Sequence, residues 1–281
     1  RIMANADGTY PVFSDNMTSD VRADGILMMS SILFYFIVDQ CFKLFGWFPN
    51  DKNGRYLSLH VICNAAVTVM AFPDTFMSYQ QPVLDSYFAK ETDTRSCMII
   101  LGLHLYHIMA FQPLTVIDWV HHIVMCIVML PLAYAVQAGT LMNHGCFFAS
   151  GFPGGLDYLM LVCVKKGWMN SIDEKRYNTI IQTWIRNPGM LYHAVLTWCV
   201  YIHCKGNPEL TDLVLRKTLY TTETQSTFGA YIICLCYFWN GPYFQRRVAE
   251  NYGRKHQASL MQNRTQPIAH KSGRDMKEKP N

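Results

Sequence analysis

Apolar residues along this chain come in long blocks, without the one-sided alternation of a fold that faces water. Residues 97–117 and 119–156 contain no Lys, Arg, Asp or Glu, and uncharged runs of about 20 residues read as membrane-crossing helices. The pattern predicts spans at residues 26–45, 57–72, 97–112, 118–136, 141–164, 189–204 and 221–242. The second, third and sixth are short for a hydrocarbon core about 30 Å thick crossed at about 1.5 Å per residue, so they would borrow flanking polar residues or sit in thinned bilayer. The expected fold is all-α: a polytopic transmembrane helical bundle of about seven spans. Residues 1–24 would form a segment outside the membrane, 25–245 the helical domain and 246–281 a basic, disordered tail.

Composition agrees, since 51% of the 281 residues are hydrophobic and 16% charged, a poor balance for a water-facing surface. Where the charges sit sets the orientation. Residues 246–281 carry nine basic and three acidic residues, and 165–186 carry five basic and two acidic, so both belong on the cytosolic side. The N-terminal segment is net acidic and the 73–95 loop has four acidic and two basic residues, which places both on the lumenal or exterior side. An odd number of spans satisfies all four segments. Residues 1–24 have four Asp, two Arg and no apolar core, unlike a cleavable signal, so the first span would do the targeting. In the loop after the fifth span, Tyr177, Ile180, Ile181, Trp184 and Ile185 share one helix face, suited either to the membrane interface or to packing on the bundle. The ten cysteines form no CxxC pair and no Cys/His zinc spacing, and no metal site is expected.

Ionisable groups inside a membrane are expensive and mark candidate functional positions. His104 and His107 lie three apart on the third span; Asp118, His121 and His122 begin the fourth, also on one helix face. A carboxylate one turn from an imidazole can fix its tautomer and raise its basicity, as a general base acting on a hydroxyl or amine requires. The alternative is structural: Asp118 caps its helix while the histidines bond to facing helices. Asp39 and Lys43 form an i, i+4 pair expected to neutralise itself near the interface. Gly151, Pro153, Gly154 and Gly155 should kink or unwind the fifth span, making Asp157 and Tyr158 candidate cavity walls. His60, Asn64 and His193 either line the same cavity or bond neighbouring helices.

The order of these features resembles the TLC domain, the helical membrane fold of ceramide synthases, TRAM proteins and other lipid-linked proteins. The resemblance covers residues 55–245 and rests on three stretches: RYLSLHVICNAAVTVMA, LHLYHIMAFQPLTVIDWVHHIVMCIVMLPLAY and NPGMLYHAVLTWCVY. It implies a six-helix barrel preceded by one helix, location in the endoplasmic reticulum, and membrane lipids as partners. In the family's synthases the paired histidines, here His121 and His122, serve acyl transfer from acyl-CoA to a long-chain base. The His-Asp that follows in synthases is absent, since MNHGCFFASGFPGGLDYLM holds only Asp157. The chain therefore looks more similar to the non-synthase members.

The resemblance thus implies lipid handling, with His121, His122 and Asp118 as the candidate acyl-transfer machinery, acyl-CoA as the candidate co-substrate and no resident cofactor. His104, His107, Asp157, Tyr158 and His193 are the candidate binding residues. A non-catalytic subunit among other membrane subunits, a di-iron lipid oxidase and a b-type haem carrier are the competing classes; nucleic acid is not an expected partner. The seventh span has no Lys for a retinal Schiff base and no span ends in an Asp-Arg-Tyr-type triplet, which sets two further seven-helix classes aside.

Overall fold

A computed structural model describes residues 20–80, 92–136, 139–206 and 223–265. Among them the chain is helical, without strands, and forms seven rods. These are α1 (Val21–Leu44), α2 (Lys52–Gln80), α3 (Arg95–Ala110), α4 (residues 116–136), α5 (Thr140–Lys165), α6 (residues 171–205) and α7 (Glu223–Thr265). Three of them contain a wider π-helical turn: Ile123–Met129 in α4, Phe147–Gly151 in α5 and Gln182–Arg186 in α6. By length and composition α1, α2, the Asp118–Ala135 stretch of α4 and α5 can cross a membrane, and α3 is a shorter apolar helix.

Helix α1 lies along α3, and the other six follow one another round: α3 on α2, α2 on α5, α5 on α6, α6 on α7, α7 on α4, α4 on α3. The apolar side chains between them form the core, with Tyr35, Leu59, Cys63, Val67, Cys97, Ile100 and Leu103 in one group. A second holds Ala71, Met129, Phe147, Phe148, Met190, Ala194, Ile233 and Tyr237. Outward faces are apolar too, for example Met29, Leu33, Phe36 and Val69, which is compatible with helices that cross a membrane.

Buried charges fix the packing. Asp39 is buried, but its strongest partner is not Lys43: Arg55 of α2 donates through Nε at 2.7 Å, Tyr106 of α3 through its hydroxyl at 3.1 Å, and Lys43 stands 3.1 Å away. The expected i, i+4 pair is thus one edge of a network joining three helices, because a buried carboxylate needs every donor within reach. Arg55 also donates to the carbonyls of Phe48 and Pro49, closing the α1–α2 turn. Nearby, Asp51 is bonded by Lys165 at 2.9 Å. Partial burial pushes its carboxyl pKa up, but the Lys165 hydrogen bond and charge together with the backbone N–H groups of Gly54 and Asn53 outweigh this and hold it below the ordinary value.

Three expectations change. Helix α1 starts at Val21 instead of near residue 25, capped by the Asp20 side chain, and Asp24 is buried, accepting from Thr94 and Tyr134. Helix α5 is distorted but not broken at its Gly-Phe-Pro-Gly-Gly stretch: the π turn Phe147–Gly151 ends at Gly151 with a non-helical ψ of −108°. It places Pro153 in the first turn of the next segment, where its missing N–H is no loss, and Gly154 and Gly155 let α2 approach through Asn64. The tail expected to be disordered from residue 246 is helical to Thr265, stabilised by an Arg246–Glu250 i, i+4 pair and by packing on Ser171–Ile181. Residues 266–281 of that tail lie outside the described residues, as do residues 1–19 of the N-terminal segment.

The buried network should be unequal in its parts. Arg55→Ala removes the buried cation from Asp39, leaving it with Tyr106 and the half-exposed Lys43, and should cost about 3–5 kcal/mol, whereas Lys43→Ala should cost about 1 kcal/mol or less. Thermal unfolding of the two variants in the same detergent measures this, and equal shifts would contradict it.

Candidate functional site

Residues from six helices converge on one interior cavity of about 220 Å³. Tyr56, His60 and Asn64 come from α2, His104 from α3, Asp118 and His121 from α4, Asp157 and Tyr158 from α5. Arg186 enters from α6 and Tyr237 from α7. Helix periodicity explains the grouping: Tyr56, His60 and Asn64 recur every four residues along one face of α2.

The imidazoles meet edge to face or tilted. The His104 ring lies 5.2 Å from that of His121 and 5.3 Å from that of His122, and His107 lies 4.8 Å from His122. Among the described residues no group of three His, Cys, Asp or Glu is placed to hold a metal ion. His122 stands behind the cavity wall, buried, with Nδ1 against the Asp118 carbonyl and Nε2 3.0 Å from His107 Nδ1. A carbonyl only accepts, so His122 carries its proton on Nδ1; in the neutral ring Nε2 then accepts, and His107 donates from Nδ1. His60 follows the same logic. Its Nδ1 donates to the Tyr56 carbonyl at 2.9 Å, leaving a bare Nε2 that is buried and has no partner. His104 Nδ1 and Arg186 Nε are likewise buried without a partner at this cavity.

Asp118 takes a different position from an imidazole-orienting carboxylate. It forms a capping box with Thr115, accepting from the hydroxyl at 2.7 Å and the backbone N–H at 3.1 Å, and only its main chain meets His122. Asp157 is bonded by Asn178 Nδ2 at 2.6 Å, and Tyr158 meets Tyr56 hydroxyl to hydroxyl at 3.4 Å while its ring lies 4.4 Å from that of His60. Seven of the eight candidates, His104, His107, Asp118, His121, His122, Asp157 and Tyr158, therefore gather here. His193 does not: it pairs with His144 in a separate buried group, Nδ1 to Nδ1 at 3.1 Å.

Sequence reasoning missed a ladder on α6. Glu174, Asn178, Gln182 and Arg186 recur every fourth residue, with Asn178 donating to Glu174, Gln182 to Asn178 and Arg186 to Gln182. The spacing was legible, but the apolar face beside it, with Tyr177, Ile180 and Trp184 exposed, carries the more conspicuous pattern.

The hydrogen bonds demand that His60, His107 and His122 all carry the proton on Nδ1. Nitrogen-15 spectra of histidine-labelled protein near neutral pH, assigned with single His→Gln variants, should show bare Nε2 signals for the three; Nε2-protonated rings would contradict the geometry. Comparison of the chain with protein-family models, curated proteins and solved structures finds no match.

Proposed function

We propose that this chain is a seven-span lipid-handling membrane protein, similar to the non-synthase members of the TLC family, that seats the polar end of a lipid at its histidine-lined cavity. The observation that carries this reading is the cavity itself. It is bounded by α2 to α7 and lined both by apolar groups (Ile100, Met125, Leu130) and by His60, His104 and Arg186, each with a buried, unpartnered nitrogen. An amphiphile has both characters, and an unsatisfied buried polar atom costs about 1–3 kcal/mol unless something bonds it.

The contacts that carry α2 to α7 round in sequence, with α1 outside, support this reading, since the TLC resemblance implies a six-helix barrel preceded by one helix. In this reading α3, residues 189–204 and the first part of α7 complete the seven spans. The basic segments then lie in the cytosol and the N-terminus in the lumen of the endoplasmic reticulum. In the enzymatic form of the proposal an acceptor amine or hydroxyl attacks the thioester carbonyl of acyl-CoA. The bare Nε2 of His60 or a nitrogen of His121 takes the acceptor's proton and returns it to the departing sulfur as the C–S bond breaks, so that CoA leaves as its thiol.

Protein purified in mild detergent should carry a lipid identifiable by mass spectrometry. His121→Ala with His122→Ala should lower its occupancy about tenfold, or about 1.4 kcal/mol in affinity. No bound lipid in either form, with stable membrane partners instead, would replace this reading by a non-catalytic subunit.

A further inference from the structure

Buried polar groups continue beyond the cavity toward the other end of the bundle. His144 of α5 and His193 of α6 stack there, ring planes 12° apart, near Tyr79 and Tyr192. Beside His144, Asn143 donates to Asp74 of α2 at 2.8 Å, and Asp93, at the start of α3, lies in the same region. Helix α2 measures the separation: Tyr56 at one group and Asp74 at the other are eighteen residues apart, about 27 Å of helix, close to the thickness of a hydrocarbon core.

Tyr237 stands between the two groups. It lines both the histidine cavity and a smaller one of about 40 Å³ that also contains His193 and Thr197. Its ring lies 4.1 Å from that of His193. Gly145 makes room for its hydroxyl, since a Cβ at that position would collide with it and approach His193 to 3.1 Å. The larger cavity has room for several water molecules and the smaller for one. Of the seven buried side-chain nitrogen and oxygen atoms without a partner among the described residues, five lie along this file: on His60, His104, Arg186, Asn143 and His144. Apolar packing alone would not concentrate such atoms in one line across a bundle.

We propose that this file conducts protons across the bundle through Tyr237. A proton enters at the half-buried Asp118 and His121 and passes among His104, His60 and cavity water to the Tyr237 hydroxyl. It continues through His193 and His144 and leaves by water toward Asp74 and Asp93. His104, His193 and His144 each accept on one nitrogen and release from the other, His60, whose Nδ1 is held by the Tyr56 carbonyl, takes up and returns a proton at Nε2 alone, and the hydroxyl gives up one proton as it takes the next. No other bond changes, and the net event is one proton moved down its gradient. The inference does not rest on the lipid reading.

The full chain, reconstituted in liposomes containing a pH-sensitive dye with potassium and valinomycin to clamp the potential, tests this directly. Wild type should dissipate an imposed pH gradient faster than protein-free vesicles. Tyr237→Phe, which removes one oxygen and keeps the ring, should return the rate to that of protein-free vesicles, as should His193→Gln checked for intact folding by size exclusion. Lys52→Gln, at an exposed position away from the file, should leave the rate unchanged. A wild-type rate no faster than empty vesicles, or an undiminished rate in Tyr237→Phe, overturns the proposal.

Discussion

The ion pair between Asp39 and Arg55 is the contact on which the rest of the arrangement depends. Two charges inside an apolar bundle tolerate little displacement, because each loses water and has only the other, with a few added donors, to replace it. Arg55 therefore fixes the depth of α2 against α1, and Tyr106, which shares the carboxylate, fixes α3 beside them. The histidines follow from that register. Tyr56 is the residue after Arg55 and His60 lies one turn beyond Tyr56, while His107 is the residue after Tyr106. Electrostatic anchoring at one edge of the bundle thus becomes placement of the imidazoles at its interior.

The interior shows two ways of treating polar groups. At the network around Asp39 and along the α6 ladder, most polar atoms meet one another, which gives rigidity. Around the cavity several are held in place by one hydrogen bond and left open on the other side, as His60 is. Fixing one nitrogen of a ring while exposing the second is how a protein presents a basic lone pair without letting the ring turn away.

Helix content and the concentration of histidines were legible in the sequence because hydrophobic blocks and i, i+3 or i, i+4 spacing are local. The partners were not, because they depend on which helices meet. Nothing in the spacing tells that Asp39 prefers Arg55 to Lys43, or that His193 joins His144 and not His121. Asp118 is instructive in another way: its two sequence readings differ only in where a carboxylate points, and Thr115 three residues earlier, the signature of a capping box, was the local clue. The helical continuation to Thr265 was hidden because charge and a few Gly and Pro residues mark solvation, which an exposed helix shares with a disordered tail.

The three π-helical turns have a consequence for the evolution of such a chain. Each supplies residues to the cavity wall: Met125 in α4, Ala149 and Ser150 in α5, Gln182 and Arg186 in α6. A π turn takes up one residue more than the surrounding helix needs, so gaining or losing that residue rotates everything beyond it by about 100° while leaving the apolar blocks intact. Two relatives could thus share every helix and still present different side chains to the interior. Insertions and deletions within 123–129, 147–151 and 182–186 are therefore the changes by which this architecture could acquire a new specificity without acquiring a new fold.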